Sequence, residues 1–598
     1  MKKILILLLA LLLCMSTSQE TMAAEGWPAN YGGVMLQGFY WDGFTDAQWS
    51  RLEKQVDNLS TTFDLIWIPQ SANCGGQSMG YDDLYWFSNY NSSFGTADEL
   101  KSMIQTFKAK GIGTIADIVI NHRKNVSNWV DFPKETYKGV TYQLQSTDIC
   151  ANDDGGKAKT EAAKLGLSVS SNNDTGEGWD GMRDLDHKSE NVQKNVKAYL
   201  KMLLEDFGYA GFRYDMVKGY SGEYTKLYNN DANPQFSVGE CWDGTTTIKN
   251  WIDATDKTSA AFDFQFRYTV RNAINKTDWS ELGKQNEGNW PLVSNNINSG
   301  SYRQYAVTFV ENHDTEYRSA TAQQDPLRKD TLAANAYLLA MPGTPCVFLK
   351  HWQAYKQDIA NMVAVRKAVG ITNLSKPTNI ASHKDYYAVQ VVGSGDKKLL
   401  CVVGTKASTY PPNSSAWKKV LGGHHYAYYV QGIEPSDITF PQLKEDEKPQ
   451  VPSFCTVNDG EICAFFEAPT TWGSQIYTWA WMKDGDGKDY VGTTWPGVSA
   501  TLIGTADNGN KVFKWVSTKT TAPDNIIFND GSNQTIDLTF TNGGYYTKDG
   551  CQSVVTGIQD VHNDYSPANN RYYNLNGQQV EPNRPGIYIH NGKKFVYK

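Results

Sequence analysis

Short apolar runs alternate with amphipathic helical stretches along residues 33–369. The runs have the length of strands, and in the stretches between them apolar positions recur every three or four residues. This alternation predicts repeated βα units around a parallel sheet. The eight runs are Val34–Phe39, Leu65–Pro69, Thr114–Ile120, Gly211–Asp215, Phe236–Glu240, Ala260–Phe264, Ala306–Glu311 and Pro345–Leu349.

The clearest helix signal lies between the second and third runs. Thr96 and Glu99 have the spacing of a capping box, and Gly111 follows as a stop. Between them the apolar positions Leu100, Met103, Ile104 and Phe107 recur at helical spacing. Eight strands with helices between them predict an α/β fold of the closed (β/α)₈ barrel type over residues 24–377.

The rest of the chain departs from this rhythm. Residues 122–184 are too long and too rich in Asn, Asp, Gly and Ser for a loop, which predicts a small domain inserted after strand three. Past Pro377 strand-like runs replace the helical pattern, and a Pro-rich stretch follows. The predicted division is a β domain at 378–431, a linker at 432–454, a β-sandwich module at 455–548, a second linker at 549–571 and a short segment at 572–598.

The N-terminus has the pattern of an export signal. Lys2 and Lys3 precede an apolar run from Ile4 to Met15, and small residues surround Ala23. Residues 1–23 are therefore a predicted signal peptide, and we expect a secreted or cell-surface protein of a bacterium. No later run is long enough to predict a transmembrane helix. Cys241 and Cys346 lie in apolar runs and are expected to be buried thiols.

Composition narrows the class of partner. Of the 598 residues 40% are hydrophobic, which predicts a folded chain. The formal charge of −8 leaves no basic field for nucleic acid. Eighteen Trp and 34 Tyr supply flat rings of the kind that stack on sugars, although an aromatic core is the alternative. We expect a monomer.

Polar residues stand where four of the apolar runs stop. They occur in Asp117 to His122 at the end of the third run, in Arg213 to Gly219 from the fourth, at Glu240 in the fifth and in Glu311 to Asp314 at the end of the seventh. Active sites of such barrels are assembled at the C-terminal ends of the strands, so these carboxylates should converge on one mouth.

Paired carboxylates can cleave a glycosidic bond. One attacks the anomeric carbon while the other protonates the departing oxygen, and a separation of about 5 to 5.5 Å gives retention of configuration. Arg213 lies two residues before Asp215, on the same face of a strand, where it can hold that carboxylate ionised. The alternative for any one such couple is a structural ion pair.

The four motifs in this order resemble the signature regions of the α-amylase family of glycoside hydrolases, in particular its plant-type branch. They are Ile115–Arg123, Arg213–Ser221, Ala261–Phe264 and Phe309–Thr315. The resemblance implies that Asp215 is the nucleophile and Glu240 the acid/base. It also implies that Asp314 binds the sugar hydroxyls and stabilises the transition state.

The same resemblance suggests further substrate contacts. His122 and His313 would hydrogen-bond the sugar, Arg213 would orient Asp215, and Lys218 would contact the reducing-end side. Tyr81 is the predicted ring under the cleaved glucose. Tyr85 is an alternative because Met79 to Gly95 aligns ambiguously with the family, and either ring could instead be core.

The resemblance also implies a Ca²⁺ site, since that cation takes several oxygen ligands. Asp174 opens an Asp-Thr-Gly stretch and Asp184 follows ten residues later, the interval of plant-type amylases. Arg183 stands where those enzymes have Pro. The implied ligands are Asn121, Asp174 and Asp184, with backbone carbonyls at Glu177 and Gly219.

The second β unit carries alternating aromatic residues. Tyr477, Trp479 and Trp481 should share one face of a strand, either as sandwich core or as a sugar platform. Trp495-Pro-Gly and the stretch Ile526 to Gln534 resemble a starch-binding module of bacterial amylases. That resemblance implies contacts from Tyr477, Trp479, Trp495 and Gln534. The stretch from Tyr573 to Lys594 looks like the C-terminal segment of exported Bacteroidota proteins, with a terminal β-hairpin as the alternative.

The sequence thus predicts a secreted, Ca²⁺-dependent, retaining α-amylase that hydrolyses internal α-1,4 bonds of starch and related α-glucans. Two alternatives remain open: a related barrel that cuts α-1,6 bonds or transfers glucosyl units, and a non-catalytic glycan-binding protein. The second alternative predicts the loss of a catalytic carboxylate, and none is lost.

Overall fold

Eight parallel strands close into a barrel in the computed structural model. The structure describes residues 24–296, 302–319, 321–444 and 451–555 apart from 471, 483, 484, 486, 507, 536 and 549, together with four short strands between 572 and 597. The predicted signal peptide lies outside these residues. The barrel strands, β1 to β8, are Met35–Gln37, Leu65–Ile68, Gly113–Ile118, Gly211–Tyr214, Phe236–Gly239, Ala260–Phe262, Ala306–Thr308 and Thr344–Phe348.

Each strand pairs in parallel with its neighbours in chain order, and β1 closes on β8. The strands are almost wholly buried, which explains why each reads as a continuous apolar run rather than an alternating one. The predicted fold class is therefore confirmed, and each of the eight predicted runs overlaps a barrel strand.

Helices follow every barrel strand. The helix Ala97–Ala109 begins at the predicted capping box, in which Thr96 and Glu99 bond each other's backbone N–H groups. The α-helices of the barrel and of the segment inserted into it are Trp49–Lys54, Val56–Ser60, Ala97–Ala109, Lys157–Lys164, Glu190–Met202, Gly222–Ala232, Thr245–Ala254, Phe264–Lys276, Thr331–Ala340, Leu349–Ala354 and Lys356–Val369.

The segment between β3 and the helix Glu190–Met202 forms a small lobe on the barrel. Its strands pair as two antiparallel ribbons. One ribbon joins His122 to Asp184, so the entry to and the exit from the lobe lie side by side. The strands are His122–Arg123, Glu135–Tyr137, Val140–Tyr142 and Arg183–Asp184.

A five-stranded antiparallel sheet follows the barrel. Its strands are Lys376–His383, Tyr386–Val392, Lys398–Val403, Lys418–Gly423 and Tyr426–Gln431. The strand-like runs of the sequence past Pro377, Asp385–Val392, Lys398–Val403 and Tyr426–Gln431, coincide with three of these strands, whereas the first and fourth were missed. Both missed strands lie at the edges of the sheet and are largely exposed, so they lack the apolar signal of the central strands.

The predicted linker at 432–454 is wrong in its first half. Ile438 is buried, and Phe440 and Leu443 pack on the same core as the barrel. The Lys444 backbone exchanges two hydrogen bonds with the Asn58 amide, and its ammonium pairs with Asp57 at 2.7 Å. The prolines of this stretch predict an irregular backbone, but the apolar side chains between them hold that backbone on the barrel core. The compact unit accordingly extends to residue 445.

The second compact unit contains a two-sheet β sandwich. Phe466 of one sheet stacks on Phe528 of the other at 4.6 Å between ring centroids. One sheet is ordered Thr501–Thr505, Lys511–Val516, Cys463–Ala468, Gly544–Thr547 and Gly550–Val554. The other is ordered Val498–Ser499, Tyr477–Trp481, Asn525–Asn529 and Leu538–Thr539.

The second predicted linker, 549–571, is wrong at its start. Gly550–Val554 forms an edge strand that pairs antiparallel with Gly544–Thr547. Its short run, Gly-Cys-Gln-Ser-Val, lacks an apolar alternation that would signal a strand. Residues 556–571 lie outside the described part of the chain.

The last segment has more strands than a hairpin. Its four short strands form an antiparallel sheet with Tyr572–Tyr573 between Gln579–Val580 and Gly586–His590, and Lys593–Tyr597 at the other edge. The resemblance to the C-terminal segment of exported Bacteroidota proteins, where such tails can act in sorting, stays a prediction.

Candidate active site

The predicted carboxylates meet at the C-terminal mouth of the barrel, around Arg213. This arginine is in β4, directly opposite Asp117 of β3 in the strand register, and its side chain is almost fully buried. Its Nη1 donates to Asp117 at 2.8 Å and to Asp215 at 2.7 Å, while Nη2 lies 2.9 Å from Glu240. One guanidinium therefore fixes carboxylates from three adjacent strands.

Asp215 and Glu240 differ in their surroundings. Glu240 follows β5, and burial raises its pKa well above the usual range; Asp215 and Asp314 raise it further, while Arg213 opposes the shift. Its second oxygen accepts the Met216 backbone N–H at 3.1 Å. Met216 has a positive φ of 46°, which turns that N–H from the end of β4 towards Glu240.

Asp314 is the third of the predicted catalytic carboxylates, after Asp215 and Glu240. It follows β7, is about one-third exposed, and lies 3.2 Å from His313 Nε2. Arg318 Nη2 donates to Asp314 at 3.2 Å, and its guanidinium lies over the Trp41 ring. Asp314 is thus more accessible to solvent than Asp215 or Glu240.

His313, next to Asp314, is held as a neutral imidazole. Burial lowers its pKa to about 4. The Gln37 amide donates to Nδ1 at 3.0 Å, which leaves the ring proton on Nε2. Nε2 is 2.7 Å from the Tyr81 hydroxyl, so the proton faces Tyr81 and Asp314.

Tyr81, not Tyr85, lies in this cluster. Its hydroxyl donates to Asp117 at 3.0 Å, and its ring is parallel to those of His313 and Trp41, at 5.3 and 6.1 Å between centroids. Among the described side chains, these three rings form one side of the mouth. Trp41 was missed because it lies in a loop after β1, without a motif to mark it.

Asp117, which the sequence places at the mouth without a role, is also part of the site. It accepts hydrogen bonds from Arg213, Tyr81 and Trp67, the last at 3.1 Å. Burial raises its pKa to about 6. Its position at the end of an apolar run was visible in the sequence, but its three partners come from three different segments.

His122 and Lys218 lie on the side of the small lobe. The Nε2 of His122 donates to the Tyr81 carbonyl at 3.0 Å, and its Nδ1 is 3.3 Å from the Asn121 amide nitrogen. Lys218 pairs with Glu177 and Asp243, each at 3.0 Å. Sugar contacts from either residue stay predictions.

The predicted cation ligands surround a buried acidic spot where the lobe joins the barrel. Asp184 Oδ1 accepts from the Asn121 amide at 3.3 Å, and burial together with neighbouring Asp174 raises the pKa of Asp184 to about 8. Asp174 Oδ2 is buried without a hydrogen-bond partner. A buried carboxylate beside a half-buried one that has an unpartnered oxygen is the environment that a hard divalent cation would neutralise.

The backbone at this spot is closely packed. A Cβ at Gly219 would lie 1.9 Å from Asn121 Oδ1, so only glycine fits there. Glu177 donates its backbone N–H to the Lys218 carbonyl at 2.7 Å, and its side chain points outwards to Lys218. Any ligand from Glu177 must therefore come from its backbone, as the resemblance implied.

Arg183 is structural. Its buried guanidinium pairs with Asp153 at 3.0 Å and Asp154 at 2.8 Å, and it lies over the Trp129 ring. Asp153 in turn accepts the Asp184 backbone N–H at 2.8 Å. The arginine thus braces the backbone of a predicted ligand.

The sandwich presents its alternating aromatic residues outwards. Tyr477, Trp479 and Trp481 are partly exposed, while Thr478 and Ala480 between them are buried. The rings therefore lie on the outer face of their sheet, not in the core. Trp495 is 45% exposed and makes an edge contact with Trp479 at 5.8 Å between centroids.

Gln534 lies on the same sheet. It is exposed and forms an isolated backbone bridge with Asn529, whose amide donates to the Pro496 carbonyl at 2.9 Å. The four predicted glucan contacts of the module are therefore on connected segments. Their role in binding stays a prediction.

All eight cysteines after the predicted signal peptide are free thiols, and Cys241 and Cys346 are buried as expected. In the part of the chain that the structure describes, we find no helix with the length and apolarity that crossing a bilayer requires.

Two segments of the chain match known protein domains. Residues 62–355 match the α-amylase catalytic domain, and residues 464–540 match starch-binding module 26. The chain is 29% identical over 417 residues to a probable α-amylase 2 of Arabidopsis thaliana, covering 66% of this chain and 93% of the relative.

Other relatives include plant and bacterial enzymes. The chain is 29% identical to the chloroplastic α-amylase 3 of Arabidopsis thaliana, over 66% of this chain and 43% of that protein. It is 26% identical to a glucan 1,4-α-maltotetraohydrolase of Roseateles saccharophilus, over 62% of this chain and 68% of that protein. The chain therefore carries a domain that matches the α-amylase catalytic domain and, after it, a starch-binding module.

Proposed function

We propose that this protein is a secreted, Ca²⁺-dependent α-amylase that hydrolyses internal α-1,4 bonds of starch with retention of configuration. The observation that carries the proposal is the pair Asp215 and Glu240, held from adjacent strands by one arginine, with the pKa of Glu240 raised by burial well above its usual range. A carboxyl group with a raised pKa can act as the acid beside a second carboxylate that acts as the nucleophile.

In the first half-reaction Asp215 attacks the anomeric carbon. Arg213 Nη1 donates to one oxygen of this carboxylate at 2.7 Å and so orients it. Glu240, whose raised pKa favours the protonated form, delivers its proton to the glycosidic oxygen as the bond breaks. The products are a glycosyl ester on Asp215 and a free chain end.

In the second half-reaction Glu240, now a carboxylate, removes a proton from water. The water attacks the anomeric carbon and releases Asp215, so two inversions give net retention. Asp314, oriented by Arg318 and His313, accepts hydrogen bonds from sugar hydroxyls as positive charge develops on the ring. Tyr81 offers its ring face to the sugar being cleaved.

The predicted cation would be held by Asn121, Asp174 and Asp184, with backbone oxygens of Glu177 and Gly219. Bound there, a Ca²⁺ ion supplies fixed positive charge that neutralises the buried carboxylates. Because Asn121 follows β3 and Gly219 follows β4, this would tie the lobe to the barrel next to Asp215.

Product analysis tests the proposal. Amylose should yield maltooligosaccharides of several lengths, and the newly released reducing ends should appear first as the α anomer in NMR spectra. Pullulan and maltotriose serve as comparison substrates, because an α-1,6-cleaving enzyme prefers the former and a transferase lengthens the latter. Initial release of the β anomer, or maltotetraose as the sole product, would contradict the proposal.

A further inference from the structure

A cluster of two histidines and one aspartate lies away from the barrel mouth. Asp330 immediately precedes the helix Thr331–Ala340 of the barrel. His424 and His425 form the two-residue turn between the strands Lys418–Gly423 and Tyr426–Gln431 of the five-stranded sheet that follows the barrel, the β domain. The cluster therefore joins the barrel to the β domain within one compact unit.

The three side chains converge on one point. Asp330 Oδ1 lies 3.1 Å from His424 Nε2 and 2.7 Å from His425 Nδ1. The two imidazole rings are nearly parallel, with centroids 3.8 Å apart. One ligand atom from each residue lies within 4.8 Å of the others, the spacing of a divalent metal site.

The backbone holds the cluster in a specific conformation. Asp330 has φ of 56° and His425 has φ of 58°, the left-handed region that side chains other than glycine seldom adopt. Glycine would suit both positions better, and the His424-His425 turn already has Gly422 and Gly423 beside it. The strained conformation directs both side chains towards the same point.

Burial differs across the cluster. The Asp330 side chain is 6% exposed, that of His425 27% and that of His424 67%. The carboxylate is thus at the base and His424 at the open side. A metal ion bound to all three would keep a position for water, as three-ligand zinc sites do.

We propose that Asp330, His424 and His425 bind a Zn²⁺ ion that clamps the barrel to the C-terminal β domain. Two imidazole nitrogens and one carboxylate oxygen suit Zn²⁺, whereas Ca²⁺ requires oxygen ligands. On binding, each imidazole places its proton on the ring nitrogen away from the metal. This site shares no residue with the barrel mouth or with the predicted Ca²⁺ ligands.

The clamp would reinforce contacts already made by the same helix. Ala336, in the helix that Asp330 precedes, accepts a hydrogen bond from the Tyr428 hydroxyl through its carbonyl. The Cys401 thiol lies 3.8 Å from that carbonyl. Zn²⁺ should therefore stabilise this interface without changing the chemistry at the mouth.

The test is a calorimetric titration of the full chain with Zn²⁺ at saturating Ca²⁺, which blocks the lobe site. A single Zn²⁺ should bind per chain and raise the melting temperature. His424→Ala, at an exposed position, and Asp330→Asn, which tolerates the left-handed backbone, should each weaken binding by more than about tenfold, since even loss of an outer partner costs about 10- to 100-fold.

His383→Ala is the matched control. His383 is an exposed histidine of the same sheet, next to Asp385 but outside the cluster. This variant should bind Zn²⁺ and gain thermal stability as the wild type does. Absence of Zn²⁺ binding by the wild type, or equal affinity in His424→Ala and the wild type, would overturn the proposal.

Discussion

At the scale of single residues, Arg213 joins the carboxylates of the site into one electrostatic unit. It is almost completely buried, and its charge is balanced by Asp117, Asp215 and Glu240. Burial raises the pKa of both Asp117 and Glu240, so the one guanidinium does not fully offset the cost of burying these two carboxyl groups. A raised pKa at Glu240 is what the acid of the proposed reaction requires.

The first prediction concerns the two proposed catalytic carboxylates. Asp215→Asn and Glu240→Gln should each lower kcat on soluble starch by about 10² to 10⁴ or more, the usual contribution of one acid/base group. The matched control is Glu223→Gln, at an exposed residue in the first turn of the helix Gly222–Ala232. Melting curves should stay close to wild type for all three, and near-normal turnover of either active-site variant would contradict its role.

The second prediction concerns pH. Glu240 must carry its proton in the first half-reaction, so kcat/KM should fall as pH rises through its raised pKa. Maltosyl fluoride needs no proton on its leaving group, and its hydrolysis should lack this alkaline fall. The check is a pair of pH profiles, one with a maltooligosaccharide and one with the fluoride. The same alkaline fall for both substrates would assign it to another group.

The third prediction concerns the geometry of Arg213. Arg213→Lys keeps a charge but cannot donate from two nitrogens to Asp215 and Glu240 together, so kcat should fall by about 10²-fold. The alkaline limb should also move, because the guanidinium now lowers the Glu240 pKa. Arg271→Lys, at a partly exposed arginine that pairs with Asp325, is the control and should have little effect on either quantity. An unchanged pH profile in Arg213→Lys would leave Arg213 a purely structural role.

At the scale of elements, the barrel was predictable because its strands are buried on both sides. Each therefore appears as an uninterrupted apolar run, and each predicted site motif follows one such run. Exposed edge strands such as Lys418–Gly423 and Gly550–Val554 lack that signal and were missed.

Side-chain partners across segments were harder to predict. Trp41 lies in a loop and joins the site only through its parallel rings with Tyr81 and His313. Asp117 was seen as a strand end, but its bonds to Tyr81 and Trp67 depend on a loop and a neighbouring strand. Sequence periodicity places such residues on a strand or helix, but it does not indicate which side chains they contact.

The fourth prediction concerns the junction of the lobe with the barrel. Removing metal with EDTA should lower both the melting temperature and the activity, and Ca²⁺ added back without Zn²⁺ should restore the activity, because a ligand that binds only the folded state stabilises it by mass action. Asp174→Asn should weaken Ca²⁺ binding, whereas Asp180→Asn, at an exposed position of the same lobe, should not. Calorimetry of Ca²⁺ binding together with thermal melts gives the measurement. A metal-free protein that melts and turns over like the untreated one would contradict the site.

At the scale of the whole molecule, catalysis and glucan attachment are assigned to separate compact units. Every proposed catalytic residue precedes Thr315, and the first unit ends at residue 445. The starch-binding module lies in the second unit, with its aromatic rings on the outer face of one sheet. An attachment module raises the local concentration of substrate but leaves the barrier of the chemical step unchanged.

The last prediction follows from that separation. Truncation after Lys444, which retains the anchored stretch around Ile438, should leave hydrolysis of soluble maltooligosaccharides nearly intact but weaken binding to starch granules. Trp495→Ala should reproduce the loss of granule binding without unfolding the sandwich, because the ring is 45% exposed. A buried Trp would instead cost about 3 to 5 kcal/mol of stability on truncation to Ala.

Leu502→Ala is the control for this prediction. Leu502 is similarly exposed but belongs to the other sheet, in the strand Thr501–Thr505, so its loss should leave granule binding unchanged. Granule pull-downs and thermal melts of the full-length variants separate a loss of contact from a loss of fold. Undiminished granule binding after truncation would show that the barrel unit holds starch by itself, because the exposed rings of the sandwich would then contribute nothing to attachment.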